Sequence, residues 1–109
     1  MSNQEIINAS VRDKLRTQVR QFVRIVEYFQ ENLPEDKQVL LTLDGFEMFP
    51  EKIGYMLPEY LTFSGTDYDD CDVLLVHKAN LSNLYLKAVP RKERGDRRKI
   101  GYLPEPPQD

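Results

Sequence analysis

IINASVRDKLRTQVRQFVRIVEYFQENLPEDKQVLLTLDG, residues 6–45, holds the two patterns that decide the fold. Its first part repeats apolar residues at steps of three and four: Ile7, Val11, Leu15, Val19, Phe22, Val26, Phe29 and Leu33. Such steps line one stripe of a 3.6-residue helix. Its last part, Val39-Leu40-Leu41-Thr42-Leu43, is a short apolar run of strand length that stops at Asp44-Gly45, a hairpin turn signal.

Upstream, Ser2 with Glu5 three residues on fits a capping box, and Ser10 with Asp13 offers a second start. Pro34 supplies the stop, because the residue before a proline is driven out of the helical region. A helix over 4–33 is about 45 Å long at 1.5 Å per residue. A globule of this chain length has a radius of gyration of only ~13 Å. The helix therefore starts late near Val11, kinks, or projects past its own core. A projecting apolar stripe needs a cover, and a second copy of the chain is the commonest one, so a homodimer through the N-terminal helix is expected.

Downstream the strands continue. Residues 46–58 are ambiguous: Pro50 fits the opening of a short helical turn, and Gly54 and Pro58 keep it short. Tyr60 to Phe63 reads as a strand closed by Ser64-Gly65. Val73 to His77 reads as a strand with Val73, Leu75 and His77 on one face and Leu74 and Val76 on the other. Leu84 to Val89 follows after a turn at Asn80 to Asn83, and these two runs predict a hairpin. The fold class expected is α+β: a long N-terminal amphipathic helix on a small, mainly antiparallel sheet of three to five strands, with a charged C-terminal arm. Residues 1–90 form the domain, and residues 91–109 the basic segment and proline-rich tail. Leu15, Phe22, Val26, Phe29, Leu41, Leu43, Leu74, Val76, Leu84 and Leu86 are assigned to the core.

Composition bounds the function. The 109 residues are 40% hydrophobic and 30% charged, with net charge −3, which supports one modest core and no generic polyanion binder. A single cysteine, Cys71, and a single histidine, His77, exclude a disulfide framework within the chain and a Cys/His zinc site. No signal peptide and no apolar run near 20 residues is visible, so a reducing, cytoplasmic setting without a membrane is expected. Among five glycines none stands in a phosphate-loop spacing, and no cofactor is expected.

The charge is segregated. Residues 34–72 carry ten acids against Lys37 and Lys52; residues 90–99 carry six bases against Glu93 and Asp96. On the helix, Arg12, Arg16, Arg20 and Arg24 recur every fourth residue and form a ridge. Like charges at that spacing repel by a few tenths of a kcal/mol per pair. Phosphates, an acidic partner or the chain's own acidic middle would offset this; the bland reading is a solvated face, with Asp13 and Glu27 pairing locally.

Asp67-Tyr68-Asp69-Asp70-Cys71-Asp72 is an acidic cluster. It lacks the glycine and the final glutamate of an EF-hand loop, and a metal-dependent enzyme would need Asp44 or Glu47 brought to it. The bland reading is an acidic loop between strands. His77 has no serine or cysteine nucleophile pattern beside it. Finally, Lys52-Ile53-Gly54-Tyr55-Met56-Leu57-Pro58-Glu59 resembles Lys99-Ile100-Gly101-Tyr102-Leu103-Pro104-Glu105 with one insertion. Besides chance, this fits a tail able to occupy a place for an extended peptide, including one on a second copy.

The reading expected is a non-enzymatic module (regulator, adaptor or inhibitor) that binds a partner protein. Its contacts are Arg16, Arg20, Arg24, Tyr55, Asp67, Tyr68, Asp69, Asp70 and Tyr102, since arginine and tyrosine anchor interfaces. The alternative is nucleic-acid binding through Arg12, Arg16, Arg20, Arg24, Arg91, Lys92, Arg94, Arg97, Arg98 and Lys99. A metal-dependent enzyme built on residues 67–72 ranks third.

Overall fold

The computed structural model describes residues 2–81, 83–91 and 100–105. One helix, α1 (Asn3–Glu31), packs on a mainly antiparallel sheet. The strands are β1 (Lys37–Leu43), β2 (Phe46–Met56), β3 (Tyr60–Thr66), β4 (Asp72–Lys78) and β5 (Leu84–Pro90), with a two-residue β6 (Gly101–Tyr102). Their order is β4-β3-β2-β1-β5, and β6 lies parallel to β2.

The expected capping box starts α1: the Glu5 amide donates to Ser2 Oγ at 3.1 Å, and the Ser2 amide faces the Glu5 carboxylate at 3.4 Å. The helix ends before Pro34, with Asn32 as its C-cap. Of the three alternatives, α1 starts early and projects. Its buried side chains are Leu15, Val19, Val23 and Val26, while Ile6 and Ile7 near its start are more than half exposed. The molecule accordingly measures 52 × 25 × 23 Å, with a radius of gyration of 15.2 Å. Phe22, assigned to the core, is partly buried against it and meets Phe63 edge to face at 6.1 Å.

Asp44 and Gly45 have φ of 50° and 80°, the two positive values a tight hairpin turn requires, and Leu43 pairs with Phe46 across it. The ambiguous stretch 46–56 is strand throughout. Its irregularity is a bulge: Pro50 opposes Gly65 and Lys52 opposes Ser64, leaving Glu51 as the extra residue. A proline is tolerated there because a bulge interrupts the ladder. The bulge also divides the strand's partners. Residues 46–48 pair with β1, and residues 49–56 pair with β3.

The expected hairpin between 73–77 and 84–89 does not form. β4 pairs with β3 and β5 with β1, at opposite edges of the sheet. Both runs find longer partners elsewhere: seven residue pairs join β5 to β1, and seven join β4 to β3. A second correction concerns β4. Leu74 and Val76, assigned to the core, are 59% and 46% exposed, and Val73, Leu75 and His77 turn inward. Both faces of this strand are apolar at their centres, so alternation alone did not decide which face is buried. Leu84 and Leu86 pack on the core as expected.

Candidate functional site

Four places bring together side chains that the sequence singles out.

The first lies between α1 and the C-terminal segment. Because β1 leaves β2 after Met48, the edge of β2 beyond the bulge is open, and residues 100–105 fill it. Ile100 is 6% exposed and belongs to the core. Gly101 and Tyr102 lie beside Lys52 and Ile53, and the Leu103 amide donates to the Ile53 carbonyl at 3.0 Å. Leu103 sits directly on Gly54: a Cβ on that glycine would stand 2.7 Å from the Leu103 Cβ. Arg16 then forks onto Glu105, with Nε and Nη2 donating at 2.7 and 2.8 Å to its two carboxylate oxygens. Asp13 lies 3.6 Å from Arg16 Nη1.

This arrangement answers the arginine ridge from within the chain, by a tail residue rather than by the acidic middle. The hydrogen bonds from Arg16 hold the Glu105 carboxyl below its ordinary range, and the charges of Arg16, Arg12 and Arg20 add to the effect. Tyr55, expected as an exposed anchor, is 7% exposed. It stands on the α1-facing side of β2, and its hydroxyl is buried next to the Arg16 guanidinium. Tyr102 is exposed. The two similar segments thus lie side by side in parallel, displaced by two residues, with Ile53 next to Tyr102 instead of next to Ile100.

The second place is the acidic loop between β3 and β4. Asp67 Oδ1 accepts from the amides of Asp69 and Cys71 at 2.9 and 3.0 Å, and the Asp67 amide donates to the Cys71 carbonyl. Asp67 is therefore the internal brace of the loop, an Asx-type role. Asp70 occupies the left-handed region at φ 61°. Asp69 and Asp70 point to solvent, and Tyr68 leans edge-on against Phe49 at 5.3 Å. Among the described residues no group of three carboxylate, histidine or cysteine side chains converges as a metal site would require.

The third is His77. Its Nε2 meets Asp44 Oδ2 at 2.7 Å and its Nδ1 meets the Lys78 carbonyl at 2.7 Å. Acceptors at both ring nitrogens favour the imidazolium, so the pKa is raised, first by the carbonyl and then by Asp44. The pair joins β4 at the sheet edge to the β1–β2 turn. A histidine held this way presents no free lone pair for general-base work. Asp44, which a metal site at residues 67–72 would need, has its carboxylate engaged by this imidazole.

The fourth is the outward face of β4. Leu74 and Val76 stand next to Ser64 and Thr62 of β3, on the side of the sheet away from α1, and Met56 of β2 is also exposed there. Sequence reasoning missed this surface because it counted both side chains as core.

Arg20 and Arg24 are exposed on α1, and Arg12 is half-buried. Arg91 donates to the Glu35 carbonyl at 2.9 Å. Lys92, Arg94, Arg97, Arg98 and Lys99 lie outside the described residues. No described helix is long and apolar enough to cross a membrane. No protein-family model, no curated protein and no solved structure matches the chain.

Proposed function

We propose that the protein is a small non-enzymatic module that binds a partner protein through the outer face of β4 and its outer edge, which pairs with no strand among the described residues. One observation carries the reading: a seven-residue edge strand exposes Leu74 and Val76 to solvent. Edge strands that stay unpaired are ordinarily blunted by charge, proline or bulges. Here the central residues from Val73 to Val76 are all apolar, and the charged groups stand at the ends, Asp72 at one and His77 and Lys78 at the other. Such an edge suits strand addition, in which the partner's main chain supplies hydrogen bonds and alternate side chains supply specificity. The loop with Tyr68, Asp69 and Asp70 adjoins the start of β4 and forms an acidic rim suited to a basic partner. Regulator, adaptor and inhibitor are the roles such a module fills.

The nucleic-acid alternative is weaker, since Arg16, the second member of the ridge, is taken by Glu105. Self-association belongs to the same proposal: a second copy packing on the projecting turns of α1 would cover Ile6 and Ile7.

The test is a photo-crosslinking residue placed at Leu74, with Lys87 on the opposite edge as control, in the protein's own cells. The expected result is a discrete protein adduct from position 74 that is lost when Val76→Lys is added. No adduct, or the same adducts from both positions, removes the reading.

A further inference from the structure

We propose that the open edge of β2 is a binding site for an extended peptide of the pattern apolar-x-x-apolar-x-acid, and that its ligand in trans is the C-terminal segment of a second copy of this chain. The site differs from the β4 edge and stands independently of the reading given above.

Four features make the groove a built site. An apolar pocket takes Ile100 and leaves it 6% exposed. The main chain of β2 offers a parallel ladder at Lys52 and Ile53. Gly54 is a floor without a side chain, which alone lets Leu103 approach. Arg16 closes the site as a two-pronged carboxylate clamp, the geometry in which arginine is most selective. Three of these features read side chains of the ligand, and the ladder holds its main chain. Together they select an isoleucine, a leucine and an acid in one order and spacing.

The occupant argues for a second copy. Residues 100–105 satisfy all four features, and every copy carries them. Eight residues, 92–99, separate this segment from Arg91, whose amide is held on the Asp36 carbonyl. A chain of that length reaches up to ~28 Å when extended. The contacts made in cis and in trans are the same, so exchange alters connectivity and not chemistry. The tethered copy has the higher effective concentration and wins in dilute solution. Exchange is uncovered when the cis pairing is made unfavourable and the trans pairing restored.

Two full-length variants do this. Arg16→Glu sets two carboxylates against each other in its own groove, and Glu105→Arg sets two guanidinium groups against each other. Mixed, each groove finds a matching tail only on the other chain. Native mass spectrometry of differently tagged proteins is expected to show mixed dimers in the cross-mixture well above those in same-variant mixtures, and the chain carrying both substitutions should lose that excess. No excess, with both variants folded by circular dichroism, overturns the proposal.

A second measurement holds if charge reversal unfolds either chain. A labelled peptide of residues 99–109 should bind the Glu105→Gln chain at least ~5-fold more tightly than the wild type, whose tail competes. The Arg16→Gln chain should not bind it. Equal binding to all three, or none to the Glu105→Gln chain, rejects the groove as a peptide site.

Discussion

Gly65 and Gly45 are both required, for different physical reasons. At Gly65 a Cβ would collide with the Phe49 carbonyl oxygen, a backbone atom that cannot move aside without disturbing the bulge. At Gly45 a Cβ would meet nothing, and only the positive φ of 80° is strained. Gly65→Ala is therefore expected to cost about 3 kcal/mol or more, and Gly45→Ala about 1 kcal/mol. Urea unfolding of the two variants decides it; equal losses would show that the bulge yields. His77 carries a pH signature. Its pKa is raised above the ordinary 6.5 in the folded protein, so its partners stabilise the fold fully below that value. That contribution is lost as pH rises through the raised pKa. The stability gap between wild type and His77→Gln should be widest in mild acid and close toward alkaline pH. A gap that widens with pH would contradict the two-acceptor geometry. At this scale the sequence was legible where a residue has one role. The Ser2–Glu5 cap and the Asp44-Gly45 turn were readable from side-chain chemistry alone. Tyr55 was not, because tyrosine serves equally in a core and on a surface and only the neighbouring strands decide.

Among the elements, strand existence was more legible than strand pairing. Val39–Leu43, Tyr60–Phe63, Val73–His77 and Leu84–Val89 announce themselves by composition. The hairpin expected between the last two was inferred from nearness in sequence, whereas the sheet pairs each with a strand laid down earlier. Residues 46–56 resisted reading because proline and glycine ordinarily end a strand, and here Pro50 marks a bulge and Gly54 admits the tail. The face of β4 gives this scale its prediction. Leu41 is fully buried at the centre of the sheet, so Leu41→Ala should cost ~2–5 kcal/mol. Leu74→Lys, on an outward face, should change stability by no more than about 0.5 kcal/mol. Denaturant midpoints of the two variants check this, with crosslinking at Val76 read alongside. A Leu74→Lys chain that keeps its stability and loses its adduct assigns that side chain to recognition. One that unfolds returns Leu74 to the core.

The whole molecule is longer than its core. Burial along α1 is partial at Val11 and Arg12 and complete from Leu15, and about two turns, residues 3–10, precede it with their side chains in solvent. Helices in water owe most of their stability to tertiary packing, and an unsupported amphipathic end frays. The mismatch between helix length and globule size is legible in the sequence, since it follows from the span of the apolar repeat and the number of residues available to cover it. Which of three resolutions the chain adopts was not, because capping at Ser2 and at Ser10 are chemically similar starts. The projecting end then has a thermodynamic consequence. If a second copy covers Ile6 and Ile7, amide exchange at residues 7–14 must slow as protein concentration rises, while exchange in β2 and β3 stays unchanged. The expected result is that concentration dependence, abolished in an Ile6→Asp/Ile7→Asp chain whose core contacts are intact. Exchange at residues 7–14 that is equally fast at every concentration would leave the overhang as a solvent-exposed extension and withdraw the helix-mediated dimer. It would leave tail exchange untouched, because that association depends on Arg16 and Glu105 and not on the helix end.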